Sequence, residues 1–138
     1  MKKLLILSLV VWISAGMTFA QQFQKGNLIG FHNLKLVLNS GVTEDQLVHF
    51  IESKYIPAAE ETYPGSKVYF LKSVRGECVN CYSMIIFFKS NEERNKYWKD
   101  DGSVTELGAK TREKMSPVEI EFEKLCKTTD TYTDWLVQ

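Results

Sequence analysis

The chain has 138 residues, 44% of them hydrophobic and 25% charged, with 17 Lys and Arg balanced by 17 Asp and Glu. These values sit near those of ordinary globular domains and exclude a disordered, collagenous or coiled-coil chain. A balanced charge also gives no long-range pull towards nucleic acid or an anionic membrane surface.

The first twenty residues read as a secretory signal peptide. Met1-Lys2-Lys3 is a short positive segment, Leu4 to Ile13 an apolar run broken only by Ser8, and Ser14 to Ala20 a small-residue stretch ending Thr18-Phe19-Ala20. That three-part order is the export pattern, and the apolar run is shorter than the ~20 residues a spanning helix needs. Cleavage after Ala20 is expected, giving an exported protein, periplasmic or secreted, with no membrane insertion afterwards. Losing Lys2 and Lys3 leaves the chain weakly acidic. Residues 21–27 are polar and read as a flexible arm, and 28–138 as a single domain.

Along that domain, Leu28 to Leu38 alternates as a first strand. His32, Leu34, Leu36 and Leu38 share one face, and Phe31, Asn33, Lys35 and Val37 the other. Thr43, with Gln46 three residues on, predicts a capping box opening a helix whose buried stripe is Leu47, Phe50, Ile51, Tyr55 and Ala58. Pro57 predicts a kink or break near Ile56. Lys67 to Val74 and Cys81 to Lys89 are the second and third strands. The third carries large apolar groups on both faces and so demands cover on both sides, which a second subunit would supply. Further capping boxes at Ser90, Ser103 and Ser116 predict a segmented helical layer over 91–127 rather than one long helix. Lys127 to Asp130 reads as a linker, and Tyr132 to Val137 as the last strand.

This β-α-β-β-α-β order is an α+β, ferredoxin-like two-layer sandwich with a four-stranded antiparallel sheet. Together with Tyr55-Ile56-Pro57-Ala58, the Pro64-Gly65 turn, Tyr97-Trp98 and the closing Tyr132-Thr133-Asp134-Trp135, it resembles the dimeric α/β-barrel superfamily, which includes the small antibiotic-biosynthesis-type monooxygenases. The resemblance implies a homodimer with two sheets packed face to face and a pocket between sheet and helices. It also implies that a polar residue on the first strand, often Asn, meets the substrate. Asn33 is the position carried over, with Lys35 on its face and Trp98 as a pocket wall. The haem-degrading members use a His in the second helical region. Residues 90–127 contain no His, so haem degradation is not expected.

The cysteines are Cys78, Cys81 and Cys126. Cys78-Val79-Asn80-Cys81 reads as a local disulfide pinning a hairpin turn, a redox couple, or half a zinc site. A redox couple would lack the helix N-terminus that lowers a thiol pKa, because Cys81 leads into a strand. A zinc site would need ligands from Cys126, His32 and His49, none of which is at ligand spacing, so no metal and no cofactor are expected. Cys126, near the end of an amphipathic helix, reads as a buried free thiol. His32, on the leucine face of the first strand, is a hydrogen-bonded boundary residue or a pocket base. His49 is a surface residue. No nucleophile motif or phosphate loop is present. The expected function is a dimeric module binding a small apolar ligand without catalysis. The alternatives are a cofactor-free monooxygenase or isomerase acting through Asn33 and His32 on an aromatic or enol substrate, and a thiol-redox protein using Cys78 and Cys81.

Overall fold

The computed structural model describes residues 23–138. The signal-peptide reading of residues 1–20 lies outside them. The elements are β1 (Leu28–Leu38), α1 (Glu44–Phe50), a π-helical turn (Ile51–Tyr55), α2 (Ile56–Thr62), β2 (Ser66–Lys72), β3 (Tyr82–Phe88), α3 (Asn91–Asn95), α4 (Glu106–Glu123) and β4 (Cys126–Leu136). The sheet has four strands in the order β2-β3-β1-β4, with every pairing antiparallel. Each helical crossover therefore spans one intervening strand, which is the split β-α-β of the ferredoxin-like fold.

The register fixes both faces of the sheet. On the inner face Asp134, Gly30, Ile86 and Val68 form one cross-strand row and Tyr132, His32, Met84 and Phe70 the next. On the outer face the rows are Trp135, Ile29, Phe87, Lys67 and Thr133, Phe31, Ile85, Tyr69. The helices cover the inner face. Leu47, Phe50 and Ile51 pack with Cys126; Ala59 and Met115 pack with Val68 and Met84; Tyr97 packs with Leu28 and Phe88. Doubly apolar β3 thus buries Met84 and Phe88 inward. Phe87 is buried on the other side, where Phe23 stacks on it at 6.0 Å. The segment expected as a loose arm is tied down from there on: Gly26 N donates to Val137 O, and Asn27 Nδ2 to Lys89 O, both at 2.8 Å.

The Thr43–Gln46 capping box forms in both directions. Of the kink or break expected near Ile56, the break does not occur: the chain stays helical, and its departure from α-geometry is the π-helical turn that ends at Tyr55. Pro57 has no N–H to give, and the turn before it widens so that Ile56 N donates to Ile51 O, five residues back. The extra residue in that turn carries the buried stripe on to Ala59 in place of Ala58. α4 is capped by Thr105, whose hydroxyl accepts from Gly108 N, and not by Ser103. It runs unbroken through Ser116-Pro117, so the second helical region is one short helix and one long one. Pro117 sits on the exposed side of the helix, where the carbonyl that its missing N–H leaves unbonded is open to solvent. β4 begins at Cys126 and absorbs the expected linker 127–130. Cys126 is consequently the first residue of a strand, paired with Leu38. It is a buried free thiol whose pKa burial pushes up.

Candidate functional site

A strand glycine on a buried face leaves a hole in the side-chain layer. Gly30 does so at the centre of the inner face, between Asp134 on β4 and Ile86 on β3. The result is a cavity of about 160 Å³. Its sheet wall is Gly30, His32, Ile86, Phe88, Tyr132 and Asp134, and its roof is Arg94, Trp98 and Gly102 from the α3 segment. A Cβ on Gly30 would lie 3.2 Å from Asp134 Oδ1 and 3.6 Å from His32 Nε2, so both polar atoms look onto the cavity floor.

Two side-chain pairs, each with a carboxylate, set the electrostatics. His32 Nδ1 lies 2.8 Å from Asp130 Oδ2, and its ring stacks on Tyr132 at 5.4 Å. An ionised carboxylate only accepts, so Nδ1 carries a proton, and in the tautomer protonated there alone the Nε2 lone pair faces the cavity. Arg94 NH2 meets Asp134 Oδ2 at 3.1 Å, leaving Oδ1 for the cavity. Arg94 is 8% exposed, and its NH1 also donates to the carbonyls of Trp98 and Lys99 at 3.1 and 2.7 Å. The same guanidinium therefore fixes the roof and aims Asp134. Trp98 is held further by a bridge to Val104 and by contact with Tyr63 at 5.0 Å between ring centroids.

The expected site residues divide between two surfaces. His32 and Trp98 meet at this cavity. Asn33 and Lys35 are exposed and lie on the outer sheet face, because successive strand residues alternate. Cys78 and Cys81 lie in the β2–β3 loop with Cα atoms 5.7 Å apart, within the span of a disulfide. That loop is organised by Ser73, whose hydroxyl accepts from Cys81 N at 3.1 Å and donates to Cys78 O. His49 is exposed on α1. No cluster of three or more metal-ligating side chains occurs among the described residues. No described helix is long and apolar enough to cross a membrane.

Gly30, Arg94, Asp130, Tyr132 and Asp134 escape sequence reasoning. The one local signal for them is a glycine inside a strand pattern, which marks close approach or a gap. The pairing that joins His32 to Asp130 spans 98 residues and depends on a register that no local pattern fixes.

A second cavity, of about 220 Å³, adjoins the first across Ile86 and Trp98, which line both. It lies between the sheet, α2 and α4. Val68, Met84 and Met115 are among its apolar walls, and Tyr55, Tyr63, Ser66, Arg112 and Glu119 are its polar lining.

No protein-family model matches the chain, and no curated protein matches it. Among solved structures it is similar to a dimeric protein of unknown function and ferredoxin-like fold from Bacteroides fragilis NCTC 9343. The identity is 9% over 83% of this chain and 100% of that one, with a TM-score of 0.44. It is also similar to SnoaB, a cofactor-independent oxygenase from Streptomyces nogalater, at 15% identity over 81% of this chain and 94% of that one, again with a TM-score of 0.44.

Proposed function

We propose that this protein is an exported homodimeric module that takes a small, largely apolar ligand into the cavity above Gly30, with one hydrogen-bonding group of the ligand on His32 Nε2. The observation that carries the reading is the missing side chain at Gly30. It opens an apolar-walled space onto which a histidine nitrogen and a carboxylate oxygen converge. The dimer reading rests on the outer sheet face. Trp135 there is 61% exposed, Val37, Tyr69 and Leu71 are also exposed, and Phe31 and Ile85 are half-buried beside them. Export rests on the N-terminal pattern of residues 1–20.

A native mass spectrum of the exported protein, purified without reductant, tests all three parts. The expected result is a two-chain assembly lacking residues 1–20 and carrying an added small-molecule mass. Gly30→Ala should lose that mass and keep the two-chain assembly, because its methyl group fills the floor between Asp134 and His32. A Gly30→Ala protein that still carries the mass overturns this site.

The His32–Asp130 pair favours a second reading, proton transfer to His32 Nε2 from an enol-type substrate, as in a cofactor-free oxygenase or isomerase. Asp130→Asn would offer an amide N–H to Nδ1 and move the ring proton to Nε2. Turnover should then fall about 100-fold or more while the bound mass persists. Unchanged turnover excludes His32 as the base.

A further inference from the structure

The second cavity differs from the first in one respect: its polar side chains are uncommitted. Tyr55, Tyr63, Ser66, Arg112 and Glu119 make no side-chain hydrogen bond or ion pair among the described residues, although all five line it. Ser66 is the sharpest case. It is 4% exposed, at the start of β2, and its Oγ is buried without a partner. A buried hydroxyl left unbonded costs stability, and native proteins keep few of them. In the first cavity, by contrast, His32, Arg94 and Asp134 are all paired.

The chemistry of the five groups is lopsided. The guanidinium of Arg112 only donates. Burial pushes the Tyr55 hydroxyl up to about 12 and raises that of Tyr63, so both stay protonated and able to donate at neutral pH. Ser66 can donate as well. Glu119 is the single obligate acceptor. A lining of four donors to one acceptor, within apolar walls of Val68, Met84, Ile86 and Met115, suits an acceptor-rich head on an apolar body.

We infer that the second cavity is a binding site for a small carboxylic acid, an apolar chain or ring whose carboxylate accepts from Ser66 Oγ and pairs with Arg112. This goes beyond the first-cavity reading, since neither Gly30 nor His32 lines the space. Carboxylate oxygens would satisfy the orphaned Ser66 hydroxyl and give Arg112 a counter-charge. Glu119, on the same helix, opposes the anion and tunes its affinity downwards.

The test is calorimetric titration of the purified protein with octanoate and 3-phenylpropanoate, with octylamine and octanol as the cationic and neutral controls. One of the two acids should bind in a way that depends on Arg112, whereas any binding of the controls, such as octanol entering the first cavity, should be unaffected by Arg112→Gln. Arg112→Gln should weaken acid binding about tenfold, and Glu119→Gln should strengthen it several-fold. Ser66→Ala should weaken it about fivefold. The same Ser66→Ala protein should melt no lower than the parent, because it removes an unbonded polar atom and no protein contact. A Ser66 with a purely structural role would give a lower melting temperature and unchanged binding. His32→Gln should leave acid binding unchanged, which separates failure of this site from failure of the first. The inference is overturned if neither acid binds, if the amine binds instead, or if Arg112→Gln and Glu119→Gln shift affinity with the opposite signs.

Discussion

Gly108→Ala is expected to lower the melting temperature by about 10 °C, against the direction that helix propensity predicts. In an exposed helix interior, alanine is worth ~1 kcal/mol over glycine. Gly108 lies in the first turn of α4, where that turn is pressed onto the main chain of Tyr97. A Cβ would stand 2.0 Å from Tyr97 O and 2.9 Å from its carbonyl carbon. These are backbone atoms, so no rotamer change relieves the clash. Tyr97 O already accepts from Thr105 N at 3.0 Å, and Thr105 in turn caps the helix on Gly108 N. Moving one of these partners moves all three. Overpacking of this kind costs about 3 kcal/mol, outweighs the propensity gain, and converts to roughly 10 °C in a domain of this size. Because Tyr97 precedes Trp98, tryptophan fluorescence should change together with the melting temperature. A variant as stable as the parent would show that α4 does not approach so closely.

Arg94→Met is expected to cost about 3 kcal/mol and to loosen the roof of the first cavity. Methionine matches much of the apolar stem and none of the hydrogen bonding. Its introduction leaves Asp134 without a counter-charge, the Trp98 carbonyl without its donor, and the Lys99 carbonyl with Gly102 N alone. Breaking a buried pair from one side typically costs ~3–5 kcal/mol, and the lower end applies because Asp134 is partly exposed. Arg94→Lys should recover only part of the loss, since one ammonium cannot serve a carboxylate and two carbonyls in the fork geometry of a guanidinium. Chemical denaturation of both single variants and of the Arg94→Met, Asp134→Asn double variant measures the coupling. If the double variant loses the sum of the two single losses, Arg94 does not act through Asp134.

Where a few neighbouring residues decide an element, the sequence and the structure agree. Thr43 and Gln46 close their capping box within a single turn, and the leucine face of β1 follows from alternation alone. The β-α-β-β-α-β order, and with it the ferredoxin-like sheet, could be read from such local signals. The disagreements arise where tertiary partners outvote local chemistry. Lys127-Thr128-Thr129-Asp130 has the composition of a linker, yet it pairs along β1 because the ladder bonds backbone to backbone whatever the side chains. Ser116-Pro117 has the composition of a helix start, yet α4 continues through it because Met115 and Val118 on either side are held in the core. The first cavity was half legible. His32 and Trp98 are both expected from the sequence and both line it. Asn33, carried over by resemblance, falls one residue from His32 and hence on the opposite side of the sheet.

The long pairing of β1 with β4 has a consequence for biogenesis. Asp130, Tyr132 and Asp134 all belong to β4, and β4 leaves the ribosome after every other described element. Until it docks, β1 has a free edge, His32 has no carboxylate and Arg94 has no counter-ion. The chain can assemble β1, β2, β3 and the helical layer first, but the first cavity forms only when two segments at opposite ends of the domain zip together, a non-local and therefore late step. Ligand occupancy of that cavity would accordingly mark polypeptides whose last strand has been made through Asp134 and docked on β1.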